Sequence, residues 1–349
     1  MTITQAIEAI TPLDAPAMRT AQKHWDSIAK PLNSLGLLEK AVIQIAGITA
    51  NPQCDIDRRG VVIMCADNGV VAEGVTQTGC EVTAIVAKEF TLGCTSVCKM
   101  AQVAGADIFP VDIGMCTDVE GVPNRKIAYG TQNIAQGPAM TRQQAIQAIE
   151  VGIDMVHHLK RRGYGILATG EMGIGNTTTS SAIAAVLLGQ EAAAVTGRGA
   201  GLSDSGLCKK IEVITRAIAL NRPNPQDALD VLCKVGGFDI AGLTGVFLGG
   251  AALHIPILID GFISAVAALL AVRLAPLASG YILASHRSGE PAGQMVLNKL
   301  GKEPFITAGM CLGEGTGAVA ALPILDMAFA VYKTMSTFDD INIEAYQPL

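Results

Sequence analysis

A glycine-rich stretch follows a predicted buried strand and opens a predicted helix. It reads Gly170-Glu-Met-Gly-Ile-Gly-Asn-Thr-Thr178. Free backbone N–H groups at a helix start, together with Asn and Thr side chains, suit a phosphate group. The stretch is not a dinucleotide fingerprint, because Asn-Thr-Thr follows Gly175 where a third glycine is required, and it lacks the Gly-Lys-Ser/Thr of a Walker loop. An ordinary glycine turn with an N-cap residue is the alternative interpretation.

A second glycine cluster reads Thr196-Gly-Arg-Gly-Ala-Gly201 and precedes a predicted helix that carries Lys209 and Lys210. Glycines spaced by two residues allow a ligand to approach the backbone closely. A flexible surface connection with solvated lysines explains the same pattern equally well. The cluster is therefore a second candidate phosphate contact.

Glu314 is the most suggestive acid, within Leu312-Gly-Glu-Gly-Thr-Gly317. A partly desolvated carboxylate between glycines would have a raised pKa and could serve as a general base. The alternative is an acid that interacts with the dipole at a helix start. His286 follows a predicted strand and could also meet a ligand. No pattern predicts a metal site, a hydrolase triad or a nucleic-acid site.

Composition restricts the class of protein. The chain has 349 residues, of which 50% are hydrophobic and 16% are charged, and it contains 38 glycines. These values exclude a disordered chain, a collagen and a small disulfide scaffold. The mean hydropathy of +0.40 is high. However, the most apolar stretch noted, Phe262 to Val272, falls short of the roughly 20 residues of a spanning helix, so no membrane span is predicted.

Charge and cysteine content restrict the partners and the compartment. The 25 basic and 31 acidic residues give a net charge of −6. A mildly acidic chain without a long basic run argues against nucleic acid or an anionic membrane as the main partner. The nine cysteines are odd in number, and no export signal is visible near the N-terminus. We therefore expect reduced thiols and a cytoplasmic location.

Short apolar stretches alternate with helical patterns, which is typical of a parallel sheet covered on both faces. The predicted strands are Gly60 to Ala66, Ala106 to Gly114, Tyr164 to Thr169, Ile255 to Asp260 and Tyr281 to Ala284. The predicted helices cover about 83–103, 141–161, 176–188, 207–220, 262–273, 290–300 and 316–334. This order indicates an α/β fold with a doubly wound, mostly parallel, Rossmann-like sheet.

Both ends of the chain show helical patterns without the alternating strands of the middle of the chain. Two helical patterns, Ala15 to Ile28 and Leu37 to Ile48, precede the first strand, and no strand follows the last helix. We expect residues 1–55 plus 335–349 to form a small helical domain and residues 56–334 to form the large α/β domain.

Taken together, the motifs resemble one family, the nicotinate-nucleotide–dimethylbenzimidazole phosphoribosyltransferases. The matching stretches are Cys65-Ala-Asp-Asn-Gly-Val70, Glu73-Gly-Val75, Asn133-Ile-Ala-Gln-Gly-Pro-Ala-Met140, Gly170 to Thr178, Lys234-Val-Gly-Gly-Phe-Asp239, Thr244-Gly-Val246, Ile259-Asp-Gly-Phe262, Ser285-His286 and Leu312-Gly-Glu-Gly315. They occur in the family's order over almost the whole chain.

The resemblance implies transfer of 5-phosphoribose from nicotinate mononucleotide to an aromatic acceptor, with inversion at C1′ and release of nicotinate. It implies that Glu314 is the general base and that Glu171 is a second active-site carboxylate. Its phosphoribosyl contacts would be Gly173, Gly175, Asn176, Thr177, Thr178, Gly199, Ala200, Gly201, Lys210 and Ser288. No cofactor or metal is expected, because the leaving group is a pyridine rather than pyrophosphate. The family's usual assembly implies a homodimer, or a heterodimer with a paralogue.

The resemblance also implies an acceptor pocket at Thr78, Val86, Met172 and Leu312. The chain departs from the family pattern in this region. Asn68 stands where the family usually has His, Thr78-Gly79 replaces Ser-Pro, and Val86 replaces a Gln. Loss of a polar wall would suit a less polar acceptor, since an unpaired polar group costs about 1–3 kcal/mol.

These departures leave several hypotheses about function. One is a member of the divergent branch that activates phenol or p-cresol, whose known examples work as paired paralogous subunits. Another is a dimethylbenzimidazole-specific enzyme in which the loop has drifted. A third is a catalytically weak partner subunit of a paralogue. A nucleotide-binding oxidoreductase is disfavoured because the third glycine is missing.

Overall fold

A parallel sheet forms the centre of the molecule. A computed structural model describes residues 1–346. Within these residues, five strands form one sheet: β1 (Arg59–Ala66), β2 (Ala106–Gly114), β3 (Ile166–Met172), β4 (Ile257–Ile259) and β5 (Ile282–Ala284). Their order is β2-β1-β3-β4-β5, and all neighbours are parallel. The predicted fold class is therefore confirmed.

Helices cover both faces of the sheet. In the described part of the chain they are α1 (Ile3–Ala9), α2 (Ala15–Ser27), α3 (Leu37–Thr49), α4 (Glu81–Leu92), α5 (Ser96–Ala104), α6 (Arg142–Arg161), α7 (Asn176–Leu188), α8 (Ala192–Val195), α9 (Asp204–Asn221), α10 (Ala228–Val235), α11 (Phe238–Ala252), α12 (Phe262–Leu274), α13 (Gly293–Leu300) and α14 (Thr316–Thr334). Short 3₁₀ turns lie at Gly69–Glu73, Pro276–Tyr281 and Asp339–Ile341.

The two layers of helices form two hydrophobic cores. One core contains residues of α6, α7, α11 and α12 on one face of the sheet. The other contains residues of α3, α4, α5 and α14 on the opposite face. All eight residues of β1 are buried, as expected for a central strand of a parallel sheet. The high hydrophobic content of the chain is therefore explained by a sheet that is buried on both faces.

The helix predictions differ from the structure in two ways. The stretch predicted as one helix over 83–103 is two helices, because Gly93 ends α4 in a left-handed conformation with φ of 70° and Thr95 begins α5 by accepting a hydrogen bond from the N–H of Cys98. Four helices, α1, α8, α10 and α11, were not predicted. All residues of α11 are buried, so this helix has no polar face and therefore no helical periodicity in the sequence.

The helices near the N-terminus pack in two different places. Helix α2 packs on α3, and α3 packs on α14. The backbone near Thr337 pairs with Ile28, and the N–H of Phe338 donates to the carbonyl of Ser27 at 2.9 Å. Helix α1 packs instead against α6 and α11. The predicted division into a helical domain and an α/β domain stays a prediction, and its residues 347–349 lie outside the described residues.

Helix α14 is, within residues 1–346, the one helix long and apolar enough to cross a membrane by length and composition. In the structure, 56% of its most apolar window is buried inside the chain, and Asp326 pairs with Arg59 at 2.7 Å. It packs against α3, α5 and β3, as a core helix of an α/β layer does.

Candidate active site

A cleft of about 300 Å³ lies at the carboxyl edge of the sheet. This is the edge at which open α/β sheets bind ligands. Fourteen of the predicted site residues line it: Thr78, Val86, Glu171, Met172, Gly173, Gly175, Asn176, Thr177, Gly199, Ala200, Lys210, Ser288, Leu312 and Glu314. Two others do not: Thr178 is fully buried in α7, and Gly201 lies beside the cleft with its carbonyl accepting from Gln77.

Glu314 projects from a left-handed turn at the start of α14. Its φ is 62°, and the flanking Gly313 and Gly315 have φ values of 91° and 98°. A carboxylate oxygen accepts from the N–H of Val97, in the first turn of α5, at 3.4 Å. Burial raises the pKa of Glu314, the Val97 hydrogen bond lowers it, and nearby Asp260 raises it further. The side chain is therefore a half-buried carboxyl with more basicity than an exposed glutamate.

The turn also lies close to β3. A Cβ atom on Gly170 would come within 2.4 Å of the carbonyl oxygen of Glu314. Only glycine at position 170 allows the backbone of Glu314 to rest on the strand in this way.

Asp260 follows β4 and binds the start of α14. Its carboxylate accepts from the N–H groups of Gly315 at 3.0 Å, Gly317 at 2.7 Å and Ala318 at 3.1 Å. Burial raises its pKa, whereas the charge of His286 and the three N–H donors act in the opposite direction. The same burial lowers the pKa of His286. The carboxylate thus satisfies backbone donors at the helix start that would otherwise lack partners.

A pair of buried acids shares one amide group. The Nδ2 atom of Asn176 donates to Glu171 and, at 2.9 Å, to Asp239. Burial and repulsion by Asp239 raise the pKa of Glu171 to about 8. Burial raises the pKa of Asp239 to about 6. Because the two groups interact, they titrate as a pair, and protonation of one favours ionisation of the other.

Lys210 forms a cationic corner of the cleft. It is 1% exposed, and its Nζ donates to Oγ1 of Thr177 at 2.8 Å and to the carbonyl of Gly197 at 3.2 Å. Burial lowers its pKa to about 8, and the charge of Glu290 partly opposes this. Ser288 and the backbone of Gly199 line the same corner. A buried ammonium group beside hydroxyls and open backbone suits an anionic ligand.

The opposite end of the cleft is apolar. Val86 projects from α4, and Met172 and Leu312 line the same space. Asn68 does not line it; its Nδ2 atom donates to the carbonyl of Ile174 at 3.4 Å beneath the glycine loop. The sequence departure at position 68 therefore supports the loop, whereas the one at Val86 faces the cleft.

The roles of several residues in or beside the cleft were not predicted from the sequence. Asp260 and Asp239 stood within quoted motifs without a role, and Arg198 was noted only as part of a glycine cluster. An acid directly after a buried strand, as at Ile259-Asp260, is a signal that could have identified Asp260. For Asp239, 63 residues from Asn176, the sequence gives no sign of the shared hydrogen bond.

The fold and the cleft define a doubly wound α/β protein whose candidate site lies at the carboxyl edge of its sheet. A family model described as phosphoribosyltransferase matches residues 10–343. The chain is 51% identical over 351 residues to the nicotinate-nucleotide–dimethylbenzimidazole phosphoribosyltransferase of Ruminiclostridium cellulolyticum, with 100% of both chains covered. It is also 51% identical to the protein of that name from Acetivibrio thermocellus, with 99% of both covered.

A comparison with solved structures points to the same family as the sequence comparisons. The crystal structure of the nicotinate-nucleotide–dimethylbenzimidazole phosphoribosyltransferase from Thermus thermophilus matches with a TM-score of 0.88 and 35% identity, covering 95% of this chain and 99% of that one. The chain therefore belongs to the nicotinate-nucleotide–dimethylbenzimidazole phosphoribosyltransferase family. This confirms the resemblance predicted from the motifs and shows that the chain is a phosphoribosyltransferase of that family.

Proposed function

We propose that this chain transfers the 5-phosphoribosyl group of nicotinate mononucleotide to an aromatic acceptor, giving an α-ribotide and nicotinate. The observation that carries the proposal is that Glu314 and Lys210 face one cleft, with an apolar wall between the glycine loops and α4. The acceptor heteroatom attacks C1′ and forms the new glycosidic bond. The bond to the pyridinium nitrogen breaks, and its electron pair leaves with nicotinate.

Glu314 takes the proton that the acceptor loses as it attacks C1′. Its place in the lining of the same cleft as Val86 and Met172 and its raised pKa support this role. A positioned base contributes roughly 10² to 10⁴ in rate. The pair Glu171 and Asp239 supports the reaction electrostatically, because negative charge shared between them stabilises the positive charge that develops at C1′.

The cationic corner binds the 5′-phosphate. Lys210, Thr177 and Ser288 supply side-chain donors, and the loops at Gly173 to Gly175 and at Gly199 supply backbone N–H groups. The remaining assigned contacts, Asn176, Thr178, Ala200 and Gly201, shape these loops. A charged donor inside a mostly buried corner gives stronger hydrogen bonds than an exposed one would.

The names of the relatives support dimethylbenzimidazole as the acceptor. The apolar side chains of Val86, Met172 and Leu312 at the acceptor end also accommodate a smaller phenolic ring, so phenol or p-cresol is the second candidate. The two acceptors differ in the bond formed, which is N-glycosidic for the benzimidazole and O-glycosidic for the phenol.

The decisive experiment is turnover by the purified chain with nicotinate mononucleotide and each acceptor in turn. Nicotinate release and the mass of the ribotide are measured. We expect Glu314→Gln to lower kcat by about 10² to 10⁴, whereas Glu303→Gln, an exposed acid outside the cleft, leaves kcat unchanged. No ribotide with any acceptor, or full activity in Glu314→Gln, would refute the proposal.

The same assay distinguishes a catalytic chain from a partner subunit. We propose a dimer, either of identical subunits or with a paralogue, and a cytoplasmic location, which the nine free cysteines support. If the chain is only a partner subunit, a complex with an active paralogue keeps its rate when Glu314→Gln is introduced into this chain. A rate that falls with the substitution assigns the chemistry to this chain.

A further inference from the structure

Glu314 stands in a backbone conformation that L side chains rarely adopt. A non-glycine residue with φ near 60° costs of order 1–3 kcal/mol and persists only where the surroundings hold it. The single side-chain hydrogen bond to Val97, at 3.4 Å, is long and does not fix the backbone. Thr316 closes the turn, because its N–H and its Oγ1 donate to the carbonyl of Gly313 at 3.0 and 2.8 Å. The closed turn must still be fixed relative to the sheet.

Asp260 is placed to hold it. Its three accepted hydrogen bonds come from Gly315, the residue directly after Glu314, and from Gly317 and Ala318 in the first turn of α14. Hydrogen bonds to a charged acceptor are worth about twice as much as neutral ones. A rigid helix start therefore begins one residue after the proposed base.

Asp260 is itself fixed by the sheet. It follows β4, which pairs with β3 and β5. Its N–H donates to Oγ of Ser264 at 3.2 Å, and its carbonyl accepts from Oγ of Ser285 at 3.3 Å. The ring of His286 packs so closely on Gly317 that a Cβ atom there would lie 1.8 Å from the ring nitrogen Nδ1. The strands therefore fix the position of Asp260, and Asp260 fixes the position of the turn.

We propose that Asp260 is a positioning residue that fixes the direction of the Glu314 carboxylate through the backbone of the Gly315–Ala318 turn. The proposal rests on the function proposed above. Asp260 borders the cleft, but three of the lone-pair sites on its oxygens are used by backbone donors. It therefore acts on the reaction through Glu314 and not through contact with a ligand.

Asp260→Asn tests the proposal, because the amide keeps the shape and turns one acceptor oxygen into a donor that faces a backbone N–H. We expect kcat to fall about 10²-fold, the size of effect produced by a misplacement of about 1 Å. The Kd of nicotinate mononucleotide, measured by calorimetry, should change less than about threefold, because the phosphate corner is untouched.

Asp112→Asn is the matched control. Asp112 is also a buried acid, near the carboxyl end of β2, and it accepts from the N–H groups of Gly114 at 3.1 Å and Met115 at 2.9 Å, as well as pairing with Lys126 at 3.2 Å. It does not line the cleft, so the control should lose stability in the same way and keep its kcat. A fall of kcat in both variants would mean that general destabilisation is responsible and would overturn the proposal.

A double-mutant cycle gives the sharpest test. If Asp260 acts through Glu314, then Asp260→Asn lowers kcat in the wild-type chain but leaves the residual rate of Glu314→Gln unchanged. Additive losses would overturn the proposal.

If Asp260→Asn does not fold, Asp260→Ser replaces it. If neither variant folds while Asp112→Asn does, Asp260 has a folding role alone and the proposal is overturned. An inactive wild-type chain would instead refute the proposed function.

Discussion

Burial sets the ionisation of the cleft residues in two opposite directions. It raises the pKa of the acids, as at Glu171 and Glu314, and lowers the pKa of Lys210, whose ammonium group lines the cleft, to about 8. The shift at Glu171 favours its neutral form near neutral pH, whereas Lys210 stays mostly protonated there and loses its charge only as the pH rises through about 8. A ligand that carries both a phosphate and a cationic ring would favour the charged forms of both groups.

Lys210 should make ligand affinity dependent on pH. Because its pKa in the free protein is about 8, the corner is cationic below that pH and becomes neutral as the pH rises through it. We expect the affinity for nicotinate mononucleotide to fall from pH 7 to pH 9.5. Nicotinate riboside, which lacks the phosphate, should show no such fall. Calorimetric titration of both ligands across this range measures the effect, and parallel curves would contradict the assignment of Lys210 to the phosphate.

Residue type and local sequence were enough to select Glu314 and the loop at Thr177 as candidates, whereas Glu171 came from the resemblance to the family; all of them line the cleft. The direction of a side chain and contacts between distant residues could not be predicted in this way. Thr178 is buried in α7 and does not line the cleft, and the donors to Asp260 are N–H groups 55 to 58 residues away.

At the scale of elements, the contact between α6 and α11 shows why α11 was not predicted from the sequence. The two helices meet through glycines: a Cβ atom on Gly152 would lie 1.9 Å from the carbonyl oxygen of Gly242, and one on Gly245 would lie 1.9 Å from that of Ile149. Close backbone packing needs small residues, and glycine lowers intrinsic helix propensity. The residues that make α11 pack well therefore weaken its helical signal in the sequence.

Gly152→Ala should destabilise the protein although alanine favours a helix by about 1 kcal/mol. The added methyl group would meet backbone atoms that cannot move aside, and overpacking of this kind costs about 1–3 kcal/mol. Gly206→Ala in α9 is the control, because its methyl group would meet only side-chain atoms, the flexible end of Leu202 at 3.0 Å and Cβ of Leu202 and Oγ of Ser203 at 3.4 Å. Urea unfolding should show a lower midpoint for Gly152→Ala alone. Equal midpoints would mean that the two helices can separate without loss.

At the scale of the whole molecule, α2 and α3 lie over the same face of the sheet as α14. Trp25 packs against Tyr332 with ring centroids 5.0 Å apart, and the backbone pairing of Ile28 with Thr337 joins α2 to the segment after α14. By contrast, α1 lies on the other face, against α6 and α11. If the ends form a separate unit, as the sequence predicts, we expect that unit to contain α2 and α3, with α1 remaining attached to the sheet.

Phe338→Ala tests this division. Phe338 is 4% exposed and follows the residue that pairs with Ile28, so truncation of its ring leaves a cavity where the two chain ends meet. Ile343→Ala, at a position that is 54% exposed, is the control. Amide hydrogen exchange of both variants should show faster exchange in α2 and α3 of Phe338→Ala alone, with β1, β3 and α1 unchanged, because separate units open separately. Equal acceleration in the strands would mean that the ends and the sheet unfold as one unit, and the two-domain division would be wrong.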